Sequence, residues 1–417
     1  MLIKVTVIAT ALLLGACYSA EMEGSDTQDR LFVCYLASWV TRRGFSLEDV
    51  PTRLCTHLLY AFAALQADGS LAMRDPAVDG PQGLYGYRRF VALKERNADL
   101  KTMVSIGGWS AGSANFSAVV SDEGLRARSA ESVAQFALQH GFDGVDVDWE
   151  YPGRRENSSA SDKENFVKWL ALLKQELSKH GFLLSVAVGA KRRIMDSYNV
   201  PEIAKNVDFI TLMTYVFHSS SFEKKTGYNA PLFRRPDDFD PLHNVDGCVA
   251  AWLDAGAPPG KLLLGMPLSG QSYELADESR AGVGAPTVGP GPANLSTALG
   301  QMCQMLKNEV CDWSVSWDEY ALVPRATKGK WWIGYEDRLS ITEKALYAVG
   351  RHLGGASVWA LNADDYAGRC FNIKYPLLTN ILRVIHYDRY LEYRRHSLYD
   401  HHETWGNNTL HATSNNA

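Results

Sequence analysis

Phe142-Asp143-Gly144-Val145-Asp146-Val147-Asp148-Trp149-Glu150-Tyr151-Pro152 sets an acidic side chain at every second position from Asp146 to Glu150. Side chains of a strand alternate between its faces, so Asp146, Asp148 and Glu150 share one face while Val145, Val147 and Trp149 share the other. Such a strand fits the interior of a sheet, with its acidic side lining a site. Crowded carboxylates there must be paired, hydrogen-bonded or partly protonated, because burial and mutual repulsion both disfavour ionisation. The pattern offers one carboxyl that can donate a proton and others that can hold charge. Pro152 stops strand pairing just beyond Glu150.

Working outward, short apolar runs recur on both sides of this stretch. The pattern predicts strands over residues 31–38, 57–65, 101–109, 141–150, 183–189, 208–217, 261–267 and 355–361, with helical patterns between them, for example over 125–140 and 163–180. Several strands are nearly continuous apolar runs, as expected when both faces of a sheet are covered. Eight alternating β and α units predict an α/β fold, the (β/α)8 TIM barrel, built from residues 30–268 and 340–383. In that fold catalytic groups gather at the C-terminal ends of the strands, which places Glu150 at the barrel mouth. The spacing breaks between the seventh and eighth strands. Residues 269–339 read as a small α+β insertion, and residues 384–417 as a polar tail.

The 417 residues are 46% hydrophobic and 21% charged with a net charge of -5, an ordinary globular balance that gives no reason to expect nucleic-acid binding. Lys4 followed by an apolar run from Val5 to Leu14 and small residues up to Ala20 reads as a signal peptide over residues 1–20. Leu14-Gly15-Ala16-Cys17 leaves a lipoprotein box as the alternative. No second apolar run is long enough to span a bilayer, so a secreted protein without membrane attachment is expected. Of the seven cysteines, Cys17 belongs to the leader, which leaves an even number for disulfides in an oxidising compartment. Sequons start at Asn115, Asn157, Asn294 and Asn407 and fit a glycoprotein. No spacing of Cys or His demands a metal, and no cofactor is expected. His401-His402 reads as part of the polar tail.

The stretch from Asp143 to Pro152 resembles the signature of glycoside hydrolase family 18, the chitinases and chitinase-like lectins. Other segments agree in order: Cys34-Tyr35 with Trp39, Tyr60-Ala61-Phe62-Ala63, Ser105-Ile106-Gly107-Gly108-Trp109, Met213-Thr214-Tyr215, and Val358-Trp359-Ala360-Leu361 followed by Asp364-Asp365. The resemblance implies a secreted chitinase that hydrolyses β-1,4 bonds between N-acetylglucosamine units by substrate-assisted, retaining catalysis. It implies Glu150 as general acid and base, Asp148 as clamp on the acetamido N–H, Asp146 as the group that tunes Asp148, and Tyr215 as donor to the acetamido oxygen. It implies Tyr35, Trp39, Phe62, Gly108, Trp109, Met213 and Trp359 as substrate-binding residues, with Trp359 beneath the distorted sugar. The implied partner is chitin or its oligosaccharides, and a monomer is expected. Cys34–Cys55 and Cys311–Cys370 are the implied disulfides, with Cys248 and Cys303 left over.

The chain departs from the family pattern at three places. Val216 stands where an Asp usually follows Met-x-Tyr. His218-Ser219-Ser220-Ser221 replaces a His-Gly-x-Trp segment. Ser269 and Gln271 replace a Tyr and an Arg after the seventh strand. These losses keep an alternative open, a catalytically weak or inactive lectin that binds chitin oligomers.

Overall fold

The computed structural model describes residues 30–238, 240–291, 298–308, 312–387, 389–391 and 393. The expected leader, Asn294, Cys311, His401-His402 and Asn407 lie outside them.

Eight parallel strands close into a barrel: Leu31–Ala37, His57–Leu65, Lys101–Gly107, Gly144–Asp148, Leu183–Gly189, Phe209–Met213, Leu262–Pro267 and Gly355–Trp359. Pairing of the first strand with both the second and the eighth completes the ring. This is the (β/α)8 barrel expected from the alternation of apolar runs. Five strands stop earlier than the sequence suggested, among them the first at Ala37 rather than 38 and the eighth at Trp359 rather than 361. The third ends at Gly107 rather than 109, the fourth at Asp148 rather than 150, and the sixth at Met213 rather than 217. The reason is lost pairing. Gly107 and Gly108 take φ of 114° and 76°, which turns the third strand away, and Gly107↔Asp148 is its last pair with the fourth. Trp109, Glu150 and Tyr215 therefore stand just past the strand ends, on the loops of the barrel mouth.

The acidic strand has the predicted two faces. Val145, Val147 and Trp149 point outward and are buried under the helices Glu123–His140 and Asp162–Ser178. The Trp149 ring stacks on Phe116 at 5.2 Å and its Nε1 donates to Ser113 Oγ at 2.9 Å. Asp143 sits at the opposite end of the strand from the mouth. Its carboxylate accepts from Lys94 Nζ at 3.0 Å and from the Thr102 N–H at 2.7 Å, so the first acid of the quoted stretch anchors the barrel floor.

Between the seventh and eighth strands the chain builds a five-stranded antiparallel sheet, in the order Thr287–Pro290, Gln271–Leu275, Trp331–Gly334, Val323–Lys328 and Ser314–Asp318, together with the helix Leu299–Asn308. Tyr273, Val323 and Trp332 form part of its own apolar core. Just beyond this sheet, Glu336 and Lys344 form a fully buried ion pair at 2.8 Å, with Ser340 Oγ also donating to Glu336. A buried pair of this kind is strongly destabilised when one partner is removed.

The Cys34–Cys55 disulfide forms as the resemblance implied. Cys370 bonds Cys303, not Cys311. The helix Leu299–Asn308 presents Cys303 with its Cα 6.0 Å from that of Cys370, within bridging range. Cys248 consequently has no bond to Cys303 and is a buried free thiol on the helix Val245–Asp254. The tail also starts later than residue 384. The helix Pro376–Ile385 closes the barrel with Ile385 buried, and Tyr390 packs against the same core. Asp364 Oδ2 caps this helix, accepting from the N–H groups of Leu377 at 3.1 Å and Leu378 at 3.0 Å. No helix among the described residues is long and apolar enough to cross a membrane.

Candidate active site

Register fixes the deepest carboxylate. Asp146 pairs across to Ser105 on the third strand and Ser185 on the fifth. Both serines point inward at the same level. Ser105 Oγ donates to Asp146 Oδ2 and Ser185 Oγ donates to Oδ1, each at 2.7 Å, and the Tyr35 phenol adds a third bond to Oδ2 at 3.1 Å. Burial still raises the proton affinity of Asp146 above the usual carboxylate range, with the three hydroxyls opposing it.

Asp148 lies two residues nearer the mouth and is also buried. Its Oδ1 has no hydrogen-bond partner among the described residues. Burial, then the charges of Glu150 and Asp146, push its pKa well up. Glu150, beyond the strand end, is half-buried. Burial raises its pKa, while the Tyr151 phenol and the Arg155 guanidinium act in the opposite direction. Three carboxyls so close in low dielectric disfavour one another's ionisation, so the column keeps a proton to higher pH than free carboxyls would.

Aromatic rings floor the mouth. Trp359 ends the eighth strand with its ring 5.6 Å from Tyr35, 5.8 Å from Phe62 and 6.2 Å from Trp39. Phe62 lies so close over Gly108 that a Cβ there would fall 2.5 Å from the ring, so only glycine fits. Trp39 and Trp109 are 40% and 62% exposed, which leaves part of each ring open to a ligand. Two guanidiniums pin the Trp109 segment. Arg74 donates to Gly107 O at 3.1 Å and Ser110 Oγ at 2.7 Å, and Arg155 lies over the Trp109 ring at 4.0 Å.

Tyr215 stands across the mouth. Its phenol is pushed well up in pKa by burial and by the charges of Asp148, Glu150 and Asp146, which keeps it protonated as a donor. Met213 ends the sixth strand, half-buried. The next residue after Tyr215 is unusual. Val216 takes φ of 57°, a left-handed conformation that a β-branched residue rarely adopts, and it is exposed. Buried Asn229 holds it there: Oδ1 accepts from the Val216 N–H at 3.0 Å, and Nδ2 donates to Ser269 O at 2.9 Å. Two of the positions that depart from the family pattern are thus joined through one asparagine.

The structure brings Tyr35, Phe62, Asp146, Asp148, Glu150, Tyr215 and Trp359 to one mouth, with Trp39, Gly108, Trp109 and Met213 at its edge. The sequence reading missed several neighbours. Ser105 lay inside a quoted motif, and its inward alternation could have been read. Ser185 needed the register. Tyr198, whose phenol accepts from the Gly189 N–H at 3.3 Å, and Arg155 had no local signal. Phe222 directly follows the segment that lacks the family's Trp. It is 56% exposed, with the Lys191 ammonium 4.7 Å from its ring centroid. Asp364 and Asp365 serve structure instead, accepting backbone N–H groups.

Comparison with known proteins agrees with this geometry. The sequence profile described as Glycosyl hydrolases family 18 matches residues 31–364. Chitotriosidase-1 of Mus musculus is 37% identical over 368 residues, which is 84% of this chain and 76% of that protein. By contrast, the chain spans 16% of the length of Probable chitinase 10 of Drosophila melanogaster, at 34% identity. The Group IV chitinase of Ostrinia furnacalis, solved with allosamidin, superposes with a TM-score of 0.82 at 37% identity, covering 85% of this chain and 98% of that one. Human YKL-39, described as a pseudo-chitinase with retained chitooligosaccharide binding, gives 0.77 at 32% identity over 85% and 99% of the two chains. An acidic column at the mouth of an eight-stranded barrel, a floor of aromatic rings and a profile that runs nearly the length of the barrel have one common reading: the chain belongs to glycosyl hydrolase family 18.

Proposed function

We propose that this protein is a secreted chitinase that cleaves β-1,4 bonds between N-acetylglucosamine units with retention of configuration. The observation that carries the reading is the complete carboxyl column, Asp146, Asp148 and Glu150, with Glu150 at the open end and raised in proton affinity. Glu150 protonates the leaving glycosidic oxygen while the acetamido oxygen of the same sugar attacks its anomeric carbon. Asp148 accepts the acetamido N–H and balances the charge of the oxazolinium ion, and Tyr215 donates to the acetamido oxygen. Glu150, now ionised, takes a proton from the water that opens the ring. Trp359 carries the apolar face of the sugar.

Of the two sequons among the described residues, Asn157 suits a glycan on the secreted protein, because its side chain is exposed in a loop. Asn115 does not suit one, since its Nδ2 donates to Leu65 O at 2.8 Å and the following Phe116 is buried.

A specific observation favours the second reading, a weak or inactive chitin-oligomer lectin. Val216, Ser269 and Gln271 remove polar sugar contacts that the family pattern carries, and the similar YKL-39 binds without being an active chitinase. Turnover of a fluorogenic chitotrioside from acidic to alkaline pH decides between them. The expected result is hydrolysis by the wild type, loss of at least about a thousandfold in Glu150→Gln, and retained oligomer binding in that variant. Binding without turnover in the wild type assigns the chain to the lectins.

A further inference from the structure

We propose that Arg155 is a positioning residue that joins the sugar-stacking ring of Trp109 to the acid Glu150. One guanidinium makes all the contacts required. It lies over the Trp109 ring at 4.0 Å, and its Nη1 donates both to the Trp109 carbonyl and, at 3.2 Å, to the Glu150 carbonyl. Those carbonyls belong to the loops that leave the third and fourth strands, so the group ties the segment bearing the ring to the segment bearing the acid. The Arg155 backbone is itself fixed: its N–H donates to Ser158 Oγ at 3.1 Å and its carbonyl accepts from the Ser158 N–H at 3.2 Å. A planar fork can stack and donate at once, which an ammonium cannot. With one face of Trp109 under Arg155, a sugar is directed to the other.

The inference rests on Glu150 being the acid, and it adds a second role for the same guanidinium. Asp146 and Asp148 face Glu150 from below, and the phenols of Tyr151, Tyr198 and Tyr215 surround the column. Arg155 supplies a cation against these acids. A nearby cation favours the ionised carboxylate, so Arg155 lowers the pH at which Glu150 gives up its proton. Removing it raises that pH and extends the alkaline limb of activity. Arg74 provides a built-in contrast. It clamps the same Trp109 segment, through Gly107 and Ser110, without touching Glu150.

The test compares the full chain with Arg155→Gln, Arg155→Lys and Arg74→Gln. The readouts are kcat/KM against pH on the fluorogenic chitotrioside and calorimetric binding of tetra-N-acetylchitotetraose. Arg155→Gln should move the alkaline limb to higher pH and weaken binding about threefold to tenfold, the scale of a lost cation–π contact. Arg155→Lys should restore the limb but not the binding. Arg74→Gln should weaken binding and leave the limb in place. An unmoved limb in a folded Arg155→Gln variant, or an equal shift in Arg74→Gln, overturns the inference. If Arg155→Gln does not fold, Arg155→Lys decides: weakened binding upholds the inference and wild-type binding overturns it. If the wild type hydrolyses nothing, the enzyme reading fails separately. Chitotetraose binding then judges Arg155, with weakening in the Gln variant in favour and unchanged affinity against.

Discussion

Ser185 Oγ donates to Asp146 Oδ1 at 2.7 Å, from the strand directly beside the acidic one. No other hydrogen bond within this site reaches that oxygen among the described residues, whereas Oδ2 has both Ser105 and Tyr35. Ser185→Ala therefore leaves half of a buried carboxylate without its donor. Thermal unfolding should show a loss of about 1.5–3 kcal/mol, the usual value for a hydrogen bond to a buried charge. The lost donor stabilised the ionised form, so Asp146 will hold its proton to higher pH. A site that needs negative charge beneath Asp148 should then lose activity earlier on acidification, and the acidic limb should rise. An acidic limb left in place would mean that Asp146 stays neutral throughout catalysis.

Val216 allows two opposed substitutions at one backbone conformation. Val216→Asn relieves left-handed strain at a β-branched residue and should raise stability by about 1 kcal/mol, read as a higher Tm. Val216→Asp also tolerates that conformation and adds a carboxylate near the mouth. A new negative neighbour raises the pKa of Glu150, so the alkaline limb should move to higher pH. Failure of that limb to move would show that the position does not sense the acid.

Asp364 caps the closing helix rather than the substrate. Its carboxylate accepts from the N–H groups of Asp365, Leu377 and Leu378 in a fully buried setting. Asp364→Ala should cost about 2–4 kcal/mol by combining a lost cap with unpaired buried donors. The shape of the pH profile should not change. A shifted profile with normal stability would place this residue in the chemistry instead.

Asn157 should carry the glycan that Asn115 cannot when the chain is made in a secretory host. Endoglycosidase digestion of the wild type should remove mass that is already absent from Asn157→Gln, while Asn115→Gln should match the wild type. Glycan on the Asn115 peptide would mean that its bond to Leu65 opens before folding is complete.

The barrel was legible because its signals are local: apolar runs at strand length, separated by helical periodicity. The face of the acidic strand was equally legible, since alternation by twos is a property of any strand. What escaped depended on contacts across the fold. Ser185 becomes functional only through its register with Asp146. Arg155 matters because the loops holding Trp109 and Glu150 leave adjacent strands. The strand ends at Gly107, Asp148 and Met213 were overrun, because pairing stops where the partner departs and not where the apolar residues end. The Cys370 partner was misassigned for a related reason. Its choice follows from where the helix Leu299–Asn308 docks, which cysteine spacing does not reveal. The anchoring role of Asp143 follows only from its contacts with Lys94 and Thr102, which the sequence does not place beside it.

Asp148 Oδ1 gives recognition a thermodynamic signature. This oxygen is a buried acceptor that receives no hydrogen bond from any described residue. Any ligand that presents an N–H to that oxygen lowers the native state and leaves the unfolded chain untouched. Heat resistance thus becomes a gauge of acetamido groups: at equal occupancy, an N-acetylated oligosaccharide should raise the melting temperature more than its counterpart built from plain glucose.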